Sequence, residues 1–495
     1  MKMQFGTGSC AFLRCKTREI QNQEQTLELR LNDEMPDIGR VLCAWGQVLL
    51  RSKEWLSDTI RVSGGVHAWV LYAPEGGGTP CCVEGWLPFQ GKWNIPSSDN
   101  DGSIRIQCQL RAIDGRTLSA RKIMVRTSVG MLAEAFAPEK VEVYSPEELP
   151  GGVEVLRRRY PVCMMREAGE KAFTMEEEVM LSPAPWKILC CRACPVVTEQ
   201  AVMGTRLILR GFVRLHTVCQ DEQGRIYTDT QELPFAQFAE LDKEYDKEAT
   251  AQILPQMASL ECNLMADRLL VKCGVVAQYI ICDRTMLELA EDAYSLEQKL
   301  TPQIQQLQLP VILDTTMQKM DLQLELPAEA EKVIDMTFCA DHPVQYQQED
   351  GTHLEAPGVM QILYYDREGN MQAGTATWNG HHHFAACETC ELHISVGDQR
   401  GISASILGDR IRITGEQYFH IHTAAQQAIP MITALELGES ITPDPARPSM
   451  ILRRAGQKCL WELARECGST VEAILKANQL TDEPAADLML LIPVI

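Results

Sequence analysis

Three stretches of this chain are copies of one pattern, and that repetition limits the possible folds more than any other feature. GVHAWVLYAPEGGGTPCCVEGWLPF starts at Gly65, GFVRLHTVCQDEQGRIYTDTQELPF at Gly211 and GVMQILYYDREGNMQAGTATWNGHHHF at Gly358, 146 and 147 residues apart. Each opens on glycine, runs through a strand-like apolar segment and crosses an acidic, Gly-rich turn (Pro74 to Gly78, Asp221 to Gly224, Asp366 to Gly369). Each ends on an aromatic: Pro88-Phe89, Pro234-Phe235 and, with the proline lost, His383-Phe384. This is a β-hairpin pattern.

Other landmarks keep the same register. Leu27, Leu29 and Leu31 alternate before the first hairpin and Leu322, Leu324 and Leu326 before the third, while the second copy is less regular there. Downstream, acid and base mark a further turn in each copy: Asp114-Gly115-Arg116, Asp267-Arg268 and Asp409-Arg410. Ile104, Ile106 and Cys108 alternate before the first of these, and Ile411 and Ile413 after the last. A unit of 140 to 150 residues made of alternating strands is long enough to bury a core of its own.

After the Pro-rich stretch ITPDPARPS the period changes from two to that of a helix. Leu460, Leu463 and Ala464, then Val471, Ile474 and Leu475, predict two short helices, with Ser469 or Thr470 capping the second and Leu490 to Ile492 closing as a strand. The fold class expected is therefore mainly β: three tandem antiparallel β domains followed by a small βααβ module. The boundaries are a lead at 1–22, repeats at 23–150, 151–300 and 301–440, a linker at 441–449 and the module at 450–495.

Composition narrows the function. The 46 Lys and Arg stand against 67 Asp and Glu, a formal charge of -21, which repels phosphate backbones and argues against a nucleic-acid partner. No apolar run is long enough for a membrane span and the first twenty residues lack a signal-peptide pattern, so a cytoplasmic protein without a transmembrane segment is expected. The 19 cysteines are scattered and odd in number, which suits buried thiols in a reducing compartment better than a disulfide framework.

Motifs for catalysis are not found. There is no Gly-x-Ser-x-Gly elbow, Walker A loop, His-Glu-x-x-His helix or Gly-x-Gly-x-x-Gly turn, so a non-enzymatic protein without cofactor is expected. Cys191 to Cys194 and Cys387 to Cys390 have metal-ligand spacing but sit in different copies, and buried thiols are the simpler reading. Eight of ten histidines fall in the third copy, at 342, 353, 381 to 383, 393, 420 and 422. His420 and His422 alternate onto one strand face that could join one of His381 to His383 around a metal, but exposed polar positions are the favoured reading, since no supporting carboxylate can be assigned, and no metal is assigned. Arg157 to Arg159 read as a solvated loop between copies, and Trp461 as core of the carboxy-terminal module.

The carboxy-terminal segment resembles a LysM domain, through Leu460-Trp461, Leu463-Ala464, Ser469-Thr470-Val471, Asn478-Gln479-Leu480 and Leu491-Ile492-Pro493. The resemblance implies a groove lined by Gly456, Gln457, Lys458 and Cys459 in the first loop and Asn478, Gln479, Leu480 and Thr481 in the second, which in that family takes N-acetylglucosamine glycans. Two positions depart from the family: Gly456 to Cys459 replaces a Gly-Asp-Thr loop, and Asp487 stands where a glycine is usual. The repeated unit, with Pro36-Asp37-Ile38 before its first core strand and its hairpin ending in Pro-Phe, is similar to the SPOCS domain. Chains with SPOCS units before a LysM domain are found among clostridial spore coat morphogenetic proteins. The resemblance implies a non-enzymatic adaptor in coat assembly, at the forespore surface in the mother cell, with a coat ATPase of the SpoIVA type as partner. The alternative is a peptidoglycan-binding protein that recruits or regulates cell-wall enzymes.

Overall fold

A computed structural model describes residues 2–4, 6–95, 102–145, 152–265, 268–385, 390–442 and 446–495. A short strand β1 (Lys2–Gln4) precedes the first set of strands: β2 (Gly6–Arg30), β3 (Ile38–Leu56), β4 (Thr59–Pro74), β5 (Cys81–Asn94), β6 (Ser103–Ser119) and β7 (Lys122–Ser145). β3, β4 and β5 form one antiparallel sheet; β2, β7 and β6 form another with β7 in the middle.

The arrangement recurs. The second set is β8 (Val153–Met180), β9 (Lys187–Gln220), β10 (Ile226–Tyr245), β11 (Thr250–Met265) and β12 (Arg268–Ser295). Here β12 is the middle strand between β8 and β11, while β10 pairs with the second arm of β9. β9 doubles back on itself, with Gly211 against the Val196 carbonyl and Arg210 paired with Glu199. The third set is β13 (Gln298–Pro327), β14 (Ala330–Ala340), β15 (Val344–Gln348), β16 (Gly351–Asp366), β17 (Met371–Ala385), β18 (Cys390–Leu407) and β19 (Arg410–Ser440). β19 lies between β13 and β18, and β16 carries β14, β15 and β17; β1 adds to β19. The chain ends with β20 (Met450–Arg454), α1 (Leu460–Cys467), α2 (Val471–Asn478) and β21 (Met489–Pro493), β20 and β21 pairing antiparallel. The fold is mainly β, in antiparallel sheets.

Local chemistry explains the hairpins. In the β9–β10 turn the Asp221 carboxylate accepts from the backbone N–H groups of Gln223 and Arg225 at 2.9 and 2.8 Å, and in the β16–β17 turn Asp366 does the same to Glu368 and Asn370 at 3.0 and 2.8 Å. Gly224 and Gly369 both take φ +81, a conformation that costs glycine little. The alternating leucines also point inward: Leu29 and Leu31 join Ile60, Phe89 and Ile106 in one core, and Leu322 and Leu324 join Ile362, Ile411 and Phe419 in another.

Several expectations shift by a few residues. Gly64, not Gly65, pairs with Phe89 and matches the Gly211–Phe235 pair. In the third set Gly358 faces Trp378, so Trp378 rather than Phe384 stands at the matching position. Phe338 on β14 takes the place beneath Gly358 and meets Trp378 edge-on, with ring centroids 5.5 Å apart. Asp114 and Arg116 lie within β6, since the β6–β7 turn comes at Ala120 and Arg121; Asp409 does sit in a turn, and Asp267 lies outside the described residues. Arg157 to Arg159 belong to β8, where Arg159 pairs with Glu288 at 2.9 Å on the neighbouring β12. Most of the junction SPEELPGG, and residues 443–445 of the Pro-rich stretch, also lie outside the described residues.

The three sets share their interiors. Trp45, Trp69 and Leu71 from the first set pack with Leu189, Cys190 and Val218 from the second and Ile334 and Leu363 from the third. The far ends of the three ribbons β2–β7, β8–β12 and β13–β19 meet in a second common core that includes Phe12, Met164, Leu289, Leu309 and Met431. Cys191 is disulfide-bonded to Cys262, whereas 15 other described cysteines are free.

Candidate functional site

The residues assigned to the groove lie on two neighbouring loops of the carboxy-terminal segment, apart from Asn478, which is the last residue of α2. Cys459 is the N-cap of α1, and its backbone N–H is held by the Glu462 carboxylate at 3.1 Å. From the other loop, Glu483 accepts from the Leu460 N–H at 3.0 Å, and the Gly456 N–H reaches the Ala486 carbonyl at 2.8 Å. Two carboxylates at the amino end of α1 suit the helix dipole and join the first loop to the second. Thr470 caps α2, its hydroxyl accepting from the Ala473 N–H at 3.1 Å.

Not every assigned residue is available to a ligand. Gly456, Gln457, Lys458 and Cys459 are exposed, as are Gln479 and Thr481; Asn478 and Leu480 are half-buried. Asn478 is committed to the backbone of β21: its amide donates to the Leu491 carbonyl at 2.7 Å, and its side-chain oxygen accepts from the Leu491 N–H at 2.8 Å. Lys458 pairs with Glu466, which also takes Arg453 at 2.9 Å. Gln457, Cys459, Gln479 and Thr481 are the exposed polar positions least bound to their surroundings, Thr481 reaching only its neighbour Asp482 at 3.2 Å.

Trp461 is core, though its neighbours extend beyond the helices. It is 8% exposed, meets the Tyr294 ring of β12 at 4.7 Å with the planes tilted by 60°, and donates its indole N–H to Asp292 at 2.9 Å. Arg465 reaches the same carboxylate oxygen at 2.8 Å, and the Tyr294 hydroxyl donates to the Ser469 carbonyl at 2.8 Å. Leu156 and Leu296 complete the apolar contact. The segment is thus docked on the end of the β8–β12 ribbon, with its two loops exposed.

A second site lies among the three strand sets, where a cavity of about 1080 Å³ is lined by all three. At its wall the buried Asp335 carboxylate receives the Trp45 indole N–H at 2.7 Å from the first set, and Arg192 at 3.0 Å and His216 at 2.7 Å from the second. Burial opposes its charge, but Arg192, His216 and Trp45 outweigh burial and hold Asp335 well below the usual carboxylate range. Glu134 is similar: burial works against ionisation, and Arg105 at 2.6 Å and Arg18 at 3.3 Å bring it down to about 2. Arg400 pairs with Asp398 at 2.7 Å and Arg214 with Glu232 at 3.5 Å. The arginines of the wall are matched by carboxylates, an arrangement that fastens the sets together rather than receiving an anion.

His420 and His422 share one face of β19, as their alternation implies, and both line this cavity. His422 meets the Thr315 hydroxyl at 3.1 Å, and burial lowers its pKa to about 3. The structure does not bring them to His381 or His383, which face β16 and β15 instead. Cys387 lies outside the described residues. Sequence reading missed Asp335 and Glu483, because each acts through contacts that no spacing within its own segment encodes.

Among the described residues no helix is long and apolar enough to cross a membrane. Comparison of the chain with protein-family models, with curated proteins and with solved structures finds no match in any of the three.

Proposed function

We propose that this chain is a non-enzymatic scaffold that holds a small recognition module at a fixed position on a rigid β body. One observation carries the reading: Trp461, Arg465 and Tyr294 lock the carboxy-terminal segment to β12 through Asp292 and Ser469, while Gly456 to Cys459, Gln479 and Thr481 stay exposed. A docked module loses less freedom on binding than one on a flexible tether, and two surfaces on one body combine through effective concentration. The Pro-rich stretch is part of this support, since Arg447 at its end donates to the Cys467 carbonyl at 2.8 Å.

The resemblance of the repeats to SPOCS units and of the tail to LysM, in that order, is to the clostridial spore coat morphogenetic protein SipL. On that resemblance the scaffold serves coat assembly at the forespore surface in the mother-cell cytoplasm, and its partner is a coat ATPase of the SpoIVA type. Commitment of Asn478 to β21 favours a protein partner over a glycan at the loops, because one of the groove's polar side chains is already spent on the fold.

The test is capture of the full chain by such an ATPase immobilised on beads, beside sedimentation with purified peptidoglycan. Retention on the ATPase, lost about tenfold or more when Gln457, Gln479 and Thr481 are all changed to Ala, is the expected result. Equal retention of that variant removes the loops from the interface. Sedimentation with peptidoglycan that soluble chito-oligosaccharide competes away moves the assignment to the glycan.

A further inference from the structure

A second cluster of chemistry lies away from both sites, at the outer end of the β15–β16–β17 sheet. Asp350 sits in the β15–β16 turn, and its carboxylate lies 2.9 Å from His353 Nε2 and 3.6 Å from His383 Nε2. His353 and His383 are directly opposite each other on β16 and β17, with ring centroids 4.8 Å apart. Donor atoms about 2.1 Å from a tetrahedral ion stand roughly 3.4 Å from one another, so the two spacings from Asp350 bracket what such an ion requires, and all three donors lie within 4.8 Å of one another.

The surroundings prepare one imidazole for that task. His353 Nδ1 lies 3.2 Å from His381 Nε2, and Tyr346 stacks over the His353 ring at 5.4 Å with an interplanar angle of 11°. A proton on His353 Nδ1, donated to His381, leaves Nε2 bare and aimed at Asp350 and His383; this orienting hydrogen bond is the usual support for a metal-bound imidazole. His353 is buried, so the ring is held by packing as well as by hydrogen bonds.

The repeat supplies an internal control. Five residues before Gly64, Gly211 and Gly358, and directly across the hairpin, the three sets carry Thr59 with Asn94, Arg206 with Glu240, and His353 with His383. The position of His381 is Lys92 in the first set and Phe238 in the second. A plain structural role is thus filled twice by residues that cannot bind a metal together, and the third set alone changes several register-matched positions to imidazole.

We propose that Asp350, His353 and His383 bind one divalent transition-metal ion of the zinc type, with His381 as the residue that orients His353. Three donors leave the fourth tetrahedral position open on a face where Asp350 and His383 are exposed, so water or a partner's side chain completes the shell.

The experiment is calorimetric titration of Zn²⁺ into the tag-free full chain after dialysis against EDTA. One ion per chain is expected, with affinity reduced about tenfold or more in Asp350→Asn, His353→Gln and His383→Ala. His382→Ala serves as the contrast, since that ring turns to Phe384 at 4.6 Å, and its affinity should be unchanged. Loss in His382→Ala equal to that in His383→Ala, the pattern of a loose histidine run, overturns the proposal, as does the absence of any zinc binding. Circular dichroism checks each variant; should His353→Gln fail to fold, Asp350→Asn in its exposed turn and His383→Ala decide the matter.

Discussion

The buried titratable groups in and around the cavity divide into two kinds that respond to acid at different points. Asp335 and Glu134 are carboxylates kept charged by arginines, whereas His342, His393, His420 and His422 are imidazoles kept neutral, chiefly by burial. His342 is lowered to about 4 and His422 to about 3 from the usual 6.5. As pH falls below 6.5 the unfolded chain takes up protons at these histidines while the folded chain does not, so stability drops as pH falls. Each such histidine contributes a slope of up to about 1.4 kcal/mol per pH unit, down to its own folded pKa. The carboxylates act later: Glu134 contributes stability that is whole above 4.5 and is lost as pH falls towards about 2. Acid unfolding should therefore begin well above the carboxylate range. Urea unfolding at pH 7, 6 and 5 tests this, with His422→Gln expected to reduce the slope between pH 6 and 5 by about 1.4 kcal/mol per pH unit. A slope unchanged in that variant means that His422 is not held neutral by burial among Arg105, Glu134, His393, His420 and Thr315.

The hairpins show what a single sequence reveals of an element and where it stops. Spacing between copies and the Asp-x-x-Gly turns locate the second and third hairpins, because the turn is made by residues adjacent in the chain. Register across the strands is less visible. Gly64 and Gly65 are both glycine, and only the Gly64–Phe89 pairing distinguishes them; in the third set the hole below Gly358 is filled by Phe338 from a different strand. Packing requires volume at a place, and either neighbouring strand can supply it. The same reasoning explains the tail: helix period and caps locate α1 and α2, but the hold of Asn478, a groove residue by resemblance, on β21 is not visible in the sequence. The close approach of strands at these glycines makes a sharp prediction. A Cβ at Gly211 would run into the Val196 carbonyl, which is backbone and cannot rotate away, so Gly211→Ala should cost about 1–3 kcal/mol in urea unfolding. A cost below ~0.5 kcal/mol would show that β9 does not fold back as tightly as described.

At the scale of the whole molecule, the three sets are less independent than their lengths suggest. A unit of nearly 150 residues can enclose a core, and each set does have apolar clusters of its own. Yet β4 is buried on both faces over most of its length, with Val66, Ala68, Val70 and Tyr72 turned to its own core and Trp69 and Leu71 turned to the other sets. The sequence carries a trace of this in AWVLYA, a continuous apolar run where a strand with one solvated face would alternate. What the run cannot specify is the partner, because Trp69 and Leu71 meet residues more than a hundred positions away in both other sets. Asp335 strengthens the case: its donors Trp45, Arg192 and His216 come from outside its own set, and separating the sets would leave a buried carboxylate unpaired. The second set cut out as residues 152–297 loses the partners of Leu189, Cys190, Val218 and Ile226 at once. It is expected to bind ANS and to melt without a cooperative transition, while the full chain unfolds the three sets together. A cooperative transition in the excised set would mean that the shared interior is only a contact between finished units. A rigid scaffold needs the opposite, since the distance between its binding surfaces is fixed only if the sets that carry them cannot part.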